Sequence, residues 1–342
     1  MATPAEMSLN SAELQKRVER FQTVRDGILA QVQQVIVGQE EVLDQILTAL
    51  FVGGHCLITG LPGTAKTLMV RTISQTLGLE FRRIQFTPDL MPSDITGTDI
   101  IEEDTTTGRR KWTFVPGPIF GNILLADEIN RTPPKTQSAL LEAMQELSCT
   151  VRGNHYKLPA PFFVLATQNP IELEGTYPLP EAQLDRFLFN TVLDYLSAEE
   201  ELKVIDLTTT VKSAQVHAVT NAEEILDFQR LVRMVPIADS LAQYVVRLVR
   251  ATRFKNPDAP EVVKKYVNYG GSVRAAQFIV LSAKARALSR RRYHVTYEDV
   301  ASLAIPVLRH RILLNFHAES DRIDSDEILR QLIQTLPPPK AA

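Results

Sequence analysis

The chain has little cysteine, little net charge and no long apolar segment. Its two cysteines, Cys56 and Cys149, lie far apart in apolar or strand-like contexts. This favours buried free thiols in a reducing compartment over a disulfide framework. A formal net charge of -3 gives no global attraction to nucleic acid or to an anionic membrane, although it is compatible with a local basic stripe.

No apolar run approaches the roughly 18 residues that a membrane-spanning helix requires. The N-terminal segment MATPAEMSLN also lacks the basic and apolar regions of a signal peptide, so we expect a cytoplasmic protein without membrane insertion. The six histidines show no spacing typical of a metal site. With 44% hydrophobic residues among 342, the chain can bury a sizeable core and is long enough for two domains.

The most informative stretch is GLPGTAKT, residues 60–67, which follows an apolar segment and precedes Leu68. A strand, a glycine-rich loop and a helix start place backbone N–H groups around a phosphate. In such a P-loop, Lys66 reaches the terminal phosphates and the Thr67 hydroxyl binds Mg²⁺. The alternative is a chance match without a nucleotide, which residues further along the chain must decide.

One position departs from the usual P-loop pattern, which has glycine immediately before the lysine. This chain has Ala65 there. Alanine tolerates helical backbone angles, so the substitution costs little if Ala65 already lies in the first turn of the following helix. On that condition the loop still predicts a phosphate site.

Hydrophobic periodicity predicts a parallel sheet between helices. Apolar residues at steps of three and four predict amphipathic helices over about 11–35, expected to pack on the core, and about 39–51. Short apolar runs predict four strands, near residues 56–58, 81–86, 123–126 and 162–166. Runs of this kind separated by helices indicate a parallel sheet that is covered on both faces.

Two segments interrupt the alternation and are predicted to be hairpins, over about 97–118 and 148–158. Beyond about residue 197 the pattern predicts helices only. We therefore predict an α/β domain of residues 1–200 that includes the N-terminal helix, and a helical domain of residues 201–342.

Polar residues follow the third and fourth predicted strands. Asp127 would hold Mg²⁺ and Glu128 would be the general base, although both acids would also suit the N-terminus of a helix. Asn169 would bind the γ-phosphate or orient a water molecule, although Asn-Pro by itself is typical of a turn. Arg186 follows a predicted helix and would reach a phosphate in a neighbouring subunit, whereas an ordinary surface arginine is commoner.

In this order, the strings GLPGTAKT, ILLADE, ATQNP and LDRF, followed by a helical region that contains GGSVRA, resemble the AAA+ ATPases. Two longer strings, DEINRTPPKTQSALLEAMQE and GTYPLPEAQLDRF, are similar to those of the MoxR family. The alanine before Lys66 is also typical of MoxR-type loops. The resemblance covers about residues 35–335.

The resemblance implies a AAA+ P-loop core, with a parallel five-stranded sheet between helices and hairpin inserts, followed by an all-helical lid domain. The catalytic residues that it implies are Lys66 (Walker A), Asp127 and Glu128 (Walker B), Asn169 (sensor 1), Arg186 (a trans-acting arginine finger) and Arg274 (sensor 2). The ATP-binding residues that it implies are Val37, Gly38, Gly60, Pro62, Gly63, Thr64, Ala65, Lys66, Thr67, Leu68, Asn169 and Arg274. The metal ligands that it implies are Thr67 and Asp127.

The same resemblance implies an ATPase that uses ATP and Mg²⁺ at the subunit interfaces of a homo-oligomeric ring, expected to be a hexamer. Its work would be chaperone-like remodelling or maturation of partner proteins, often proteins with a von Willebrand factor A (VWA) domain, sometimes with metal or cofactor insertion. A nucleic-acid motor and a magnesium-chelatase-type subunit are the alternatives. The acidic balance favours a protein client, so no stable nucleic-acid partner is expected.

Overall fold

A computed structural model describes residues 11–61, 63–103, 110–169, 175–209 and 215–339. The helices are α1 (Ser11–Val32), α2 (Glu40–Val52), α3 (Lys66–Leu77), α4 (Pro92–Thr96), α5 (Pro134–Glu146), α6 (Glu181–Leu184), α7 (Ala198–Thr209), α8 (Ala222–Met234), α9 (Asp239–Ala251), α10 (Glu261–Tyr266), α11 (Val273–Ser289), α12 (Tyr297–Leu308), α13 (Phe316–Asp321) and α14 (Ser325–Thr335). The strands are β1 (Cys56–Gly60), β2 (Phe81–Gln85), β3 (Gly97–Glu103), β4 (Arg110–Pro116), β5 (Ile123–Asp127), β6 (Ser148–Val151), β7 (Asn154–Lys157), β8 (Phe163–Gln168), β9 (Phe189–Leu193), β10 (Val267–Tyr269) and β11 (Leu313–Leu314).

The chain divides into two compact units. The core unit runs from Gln34 to Ala218, and the helical unit combines the N-terminal stretch up to Gln33 with the chain from Val219 onward. This grouping differs from the predicted domain of residues 1–200, because α1 packs on a helix of the helical unit. The Phe21 and Phe228 rings meet edge to face with 5.2 Å between their centroids.

The core unit is built on a five-stranded sheet in the order β2-β5-β8-β1-β9. All four strand pairs are parallel, so the predicted parallel sheet is confirmed. The apolar pattern located four of these strands and missed β9, which pairs with β1 through Cys56 and Phe189. Both cysteines are buried and unpaired, as predicted.

Both predicted hairpins are confirmed. Strands β3 and β4 pair in antiparallel fashion, as do β6 and β7. The hairpins also contact each other, because Phe114 stacks on Tyr156 at 4.0 Å between ring centroids. The Arg152 guanidinium lies 4.3 Å from the centre of the Trp112 ring. These side chains join the two hairpins into one packed feature of the core unit.

The helical unit contains one departure from the prediction of helices only. Strands β10 and β11 form a two-stranded antiparallel sheet. The strands have only three and two residues, too short for an alternating pattern to show. In the part of the chain that the structure describes, no helix is both long enough and apolar enough to cross a bilayer.

His55 lies just before β1 and is buried between neighbouring elements. Its Nδ1 atom accepts the Val164 N–H at 3.1 Å, and its Nε2 atom lies 3.2 Å from the Met144 carbonyl oxygen. A backbone N–H can only donate, so Nδ1 carries no proton and Nε2–H donates to the carbonyl. Burial lowers the pKa of His55 to about 4, although the bond to Met144 acts in the opposite direction.

We expect a His55→Gln variant to lose much of the acid sensitivity of the core unit. The pKa of the His55 imidazole is 6.5 in the unfolded chain and about 4 in the folded one. The unfolded state therefore binds the proton more readily, and stability falls as the pH drops below about 6.5. Between about pH 7 and pH 5 the loss is about 2 kcal/mol of unfolding free energy. Glutamine keeps one donor and one acceptor without titrating in this range.

Urea unfolding at both pH values measures this difference. His155→Gln, a change at an exposed position, is the control and should keep the wild-type pH dependence. An equally steep loss of stability in wild type and His55→Gln would show that His55 is not the source.

Candidate active site

The candidate site lies where three adjacent strands end. Strands β5, β8 and β1 are neighbours in the parallel sheet, so their carboxyl ends meet at one edge. A cavity of about 520 Å³ opens at this edge. Its lining residues are Gly63, Thr64, Ala65, Lys66, Thr67, Leu68, Asp127, Glu128, Thr167 and Asn169.

The loop after β1 is held by its own polar side chains. The Lys66 ammonium donates to the Gly60 carbonyl at 2.5 Å and to the Leu61 carbonyl at 3.0 Å. The Thr64 hydroxyl donates to the Leu61 carbonyl at 2.8 Å. Burial lowers the pKa of Lys66, whereas the charges of Asp127 and Glu128 raise it. A half-buried cation therefore borders the cavity beside two acids.

Ala65 does not have the helical backbone that the sequence interpretation required. It is the N-cap residue of α3, with φ 56° and ψ 25°, in the left-handed region. An L-residue in that region is less favourable by roughly 1–2 kcal/mol, which is why glycine usually occupies such positions. Alanine is therefore strained here, and the helix begins one residue later, at Lys66.

Asp127 is bound by groups from both neighbouring strands. Its Oδ1 atom accepts from the Thr167 hydroxyl of β8 at 2.6 Å, and its Oδ2 atom accepts from Arg83 Nη2 of β2 at 2.7 Å. Both side chains fix the carboxylate at the mouth of the cavity. The arginine therefore places a positive charge beside the carboxylate that is predicted to hold Mg²⁺.

Glu128 also has a strained backbone, with φ 58° and ψ 49°. Its N–H donates to the Thr167 hydroxyl at 2.8 Å, which helps to hold this conformation. Its Oε2 atom accepts from Gln85 Nε2 and lies 3.0 Å from Arg131 Nε. A non-glycine residue held in this region by several bonds is typical of a functional position.

The residues present fit a nucleotide with a bound Mg²⁺ ion. The hydroxyls of Thr72, Ser74 and Thr76 in α3 donate to backbone carbonyls of the helix. In contrast, within the described residues the Thr67 hydroxyl has no hydrogen-bond partner. A free hydroxyl and a carboxylate are the hard oxygen ligands that Mg²⁺ takes, with water and phosphate oxygens completing its shell.

Thr67 and Asp127 are the side chains predicted to hold the metal ion, and both line the cavity. Within the described residues, no group of three or more His, Cys, Asp or Glu side chains could hold a metal ion. This suits Mg²⁺, which keeps several waters and commonly binds through one or two carboxylates together with substrate phosphates.

Val37, Gly38 and Gly60 are predicted site residues that are not among these lining residues. Val37 and Gly38 lie next to the start of α7, since a Cβ atom on Gly38 would meet the Glu200 side chain. Gly60 ends β1 and contributes its carbonyl to Lys66. Pro62 falls outside the described residues.

The two predicted arginines lie in different units. Arg186 follows α6 in the core unit and is half-buried, and within the described residues no carboxylate pairs with its guanidinium. Arg274 belongs to the helical unit, where it is the second residue of α11 and its N–H donates to the Ser272 hydroxyl at 3.2 Å.

The sequence interpretation missed four side chains that contact the acids, namely Arg83, Gln85, Arg131 and Thr167. Alternation along a strand puts Arg83 and Gln85 on one face of β2, and Gln85 is the register partner of Asp127. The order of strands in the sheet would therefore have indicated them. Thr167 carried a weaker signal, as a polar residue near the end of an apolar run.

Comparison with known proteins supports an assignment. The profile of the ATPase family associated with various cellular activities (AAA) matches residues 55–189, and that of the AAA lid domain matches residues 259–332. A relative named Chaperone MoxR1, from Mycobacterium tuberculosis, is 43% identical over 310 residues, covering 91% of this chain and 81% of that protein. The chain belongs to the MoxR family of AAA+ ATPases.

Two further comparisons also cover most of this MoxR-family chain. Protein MoxR of Methylorubrum extorquens is 27% identical over 328 residues, covering 90% of this chain and 93% of that protein. The crystal structure of a predicted ATPase from Cytophaga hutchinsonii aligns with a TM-score of 0.88 and 41% identity, covering 94% of this chain and 97% of that one. The AAA+ fold and the helical lid are thereby confirmed.

We expect Ala65→Gly to stabilise this MoxR-family chain by up to about 1 kcal/mol, because glycine adopts the left-handed conformation without strain. The matched control is Ala139→Gly, within α5, where the backbone is helical and glycine should destabilise by about 1 kcal/mol. Urea unfolding of the core unit measures both changes. A loss of stability in Ala65→Gly equal to that in Ala139→Gly would mean that residue 65 is helical.

Proposed function

We propose that this protein hydrolyses ATP with Mg²⁺ at sites shared by neighbouring subunits of a ring, expected to be a hexamer, and that it thereby remodels partner proteins. One observation carries the proposal: Lys66, Asp127 and Glu128 border a single cavity, whereas the guanidinium of Arg186 has no carboxylate partner within the described residues. An ATPase site in one subunit, together with an arginine that can act on the nucleotide of the neighbouring subunit, would make up a site at the subunit interface.

The P-loop would bind the phosphates. Backbone N–H groups at the start of α3 and the Lys66 ammonium would exchange their present partners for phosphate oxygens. Thr67 and Asp127 would hold Mg²⁺, which supplies neutralisation of phosphate charge when bound. Asp127 would have to share its carboxylate between Arg83 and the ion.

Glu128 would be the general base that takes the proton of the attacking water. Its Oε2 atom now contacts Gln85 and Arg131, so those contacts must weaken before that atom can accept a proton. Asn169, at the end of β8, would orient the water or bind the γ-phosphate. Arg186 would act on a neighbouring subunit's phosphate, and Arg274 would bind the nucleotide from the lid.

The proposed client is a protein, following the family resemblance and the relative named as a chaperone. A VWA-domain protein is the expected class of client, and the remodelling would allow insertion of a metal or cofactor into it. The paired hairpins expose apolar side chains, including Ile101 and Trp112, which are register partners on β3 and β4. Apolar groups of this kind suit contact with a polypeptide.

The basic run at the end of α11 does not favour the nucleic-acid alternative. Arg292 pairs with the buried Asp299 at 2.5 Å, and Arg291 pairs with Asp26 at 3.4 Å. Both guanidinium groups thus already have acidic partners, which reduces the positive charge available to a phosphate backbone.

Complementation between two inactive variants tests the shared site. Arg186→Ala should lower the ATPase rate by at least about 100-fold, because a trans-acting arginine is worth about 10³–10⁵ in rate. Lys66→Ala subunits bind no nucleotide productively but still present Arg186. In an equal random mixture, about a quarter of interfaces would combine an intact site with an intact arginine, so activity should return toward that fraction.

The mixture is measured by steady-state phosphate release after mixed assembly has been verified. Each variant assembled alone is the control and should stay inactive. No recovery in verified mixed rings would mean that each site is completed within one chain.

A trapped state tests the role of Glu128 and the class of client. Glu128→Gln should bind ATP and assemble but hydrolyse at least about 100-fold more slowly, because general-base catalysis contributes about 10²–10⁴. Affinity capture in ATP should then enrich a VWA-domain protein relative to Glu142→Gln, a change at an exposed position of α5. Wild-type turnover in Glu128→Gln would exclude it as the base, and capture without a VWA-domain protein would exclude that client class.

A further inference from the structure

Two segments of the core unit meet at one buried glutamine. The acid loop, residues 129–132, follows Glu128. The finger segment, residues 175–186, ends at Arg186. We propose that Gln137 of α5 is a positioning residue. Its hydrogen bonds connect the finger segment to the acid loop and so fix the position in which Arg186 is presented to the neighbouring subunit. This inference rests on the proposed function, in which Arg186 acts in trans.

The amide of Gln137 lies among three carbonyl groups. Its Nε2 atom is 3.2 Å from the Ile129 oxygen and 2.9 Å from the Thr132 oxygen, both in the acid loop. The same atom is 3.1 Å from the Tyr177 oxygen in the finger segment. Because all three neighbours only accept, the nitrogen must face them, and the reversed amide would bring four oxygen atoms together.

Gln137 is fully buried, and its Oε1 atom has no hydrogen-bond partner within the described residues. A buried polar atom without a partner is unfavourable, and an apolar side chain of the same volume would avoid it. Packing alone does not require an amide at this position, so the hydrogen bonds that Gln137 Nε2 donates are what the amide contributes here.

Two further bonds join the same elements. The Tyr177 N–H donates to the Asn130 carbonyl of the acid loop at 2.6 Å, while the Tyr177 carbonyl accepts from Gln137 of α5. At the next residue of α5, the Ser138 hydroxyl accepts from Gln183 Nε2 at 3.3 Å. The start of α5 thus contacts the finger segment at two places.

The link between Tyr177 and Arg186 is short and constrained. Pro178 and Pro180 fix backbone φ angles, and the Pro180 carbonyl accepts from the Leu184 N–H at 3.0 Å. Leu179 and Phe187 are anchored in the hydrophobic core on either side of this turn. The backbone between Tyr177 and Arg186 therefore has little conformational freedom, so a displacement of Tyr177 also displaces Arg186.

The other end of the link is Glu128. Arg131, within the acid loop, lies 3.0 Å from the Glu128 carboxylate. One amide nitrogen has two hydrogens for three acceptors, so a shift of the acid loop changes how strongly Gln137 holds Tyr177. Gln137 thereby connects the general base of one site to the arginine presented to the next.

Mixed rings test this role without interference from the variant's own site. Subunits carrying both Lys66→Ala and Gln137→Met are mixed with Arg186→Ala subunits and compared with the mixture that uses Lys66→Ala alone. The double-variant subunit contributes only its Arg186, so its own Glu128 cannot affect the rate. If Gln137 positions Arg186, the recovered ATPase rate should fall by at least about fivefold, because small misplacements of catalytic groups have large effects on rate.

Gln45→Met, combined with Lys66→Ala, is the matched control. Gln45 of α2 is also a buried glutamine whose Oε1 atom has no partner within the described residues, but its amide nitrogen donates to Glu41, on its own helix. It should leave the recovery unchanged. Thermal unfolding and ring assembly of both double variants establish that they are folded; if Gln137→Met is not, Gln137→Asn, which keeps the amide but shortens its reach, replaces it.

Three outcomes are distinguishable. A fall in recovery with Gln137→Met but not with Gln45→Met supports the positioning role. Recovery within about twofold of the Lys66→Ala mixture, in folded and assembled rings, overturns it and leaves the shared site intact. If Lys66→Ala itself restores nothing to Arg186→Ala, the shared site is wrong and the role of Gln137 falls with it.

Discussion

The parallel pairing of β5 with β8 and of β8 with β1 is the constraint on which the site depends. Register pairs such as Ala126 with Ala166 and Cys56 with Leu165 bring the ends of three strands to one edge of the sheet. A slip of one residue would turn every side chain to the opposite face, so the buried apolar runs that fix the register also fix Asp127. The Thr167 hydroxyl then ties the two strand ends together, since it bonds both Asp127 and the Glu128 N–H.

A second constraint is charge. The three charged groups at the cavity all have partners from the same chain: Lys66 has loop carbonyls, Asp127 has Arg83, and Glu128 has Gln85 and Arg131. A buried or half-buried charge requires such compensation. Binding of a charged ligand would thus be an exchange of partners, and its affinity would be the difference between the two sets of bonds.

Sequence reasoning recovered those parts of the fold that have a periodic or motif signature. The long amphipathic helix, four apolar strands, both hairpins and the residues that line the cavity, apart from Thr167, were predictable, because burial and phosphate chemistry restrict the residues at those positions. Strands β10 and β11 were not predicted as strands, because two or three residues carry no measurable period. Strand β9 has five residues, but Asn190 and Thr191 interrupt the continuous apolar run by which the other strands of the sheet were located.

What sequence reasoning could not supply depends on tertiary contact. The left-handed backbone of Ala65 is imposed by the loop and contradicts the intrinsic preference of alanine. The grouping of α1 with the helical unit depends on which apolar faces pack together. Hydrophobic periodicity shows that one face of a helix is buried, but not against which element. The same holds for Gln137, because its role depends on the fold bringing the Tyr177 carbonyl, 40 residues away in the sequence, to the amide that also bonds the acid loop.

Helix α5 begins just after the acid loop, and only Leu147 separates its end from β6 of the second hairpin. Its 13 residues make a rod about 20 Å long. A tilt of about 5° at the Glu128 end would displace the far end by about 2 Å over this length. Because Phe114 stacks on Tyr156, the first hairpin would move together with the second. A small rotation beside the cavity would thus become a displacement of about 2 Å at the paired hairpins.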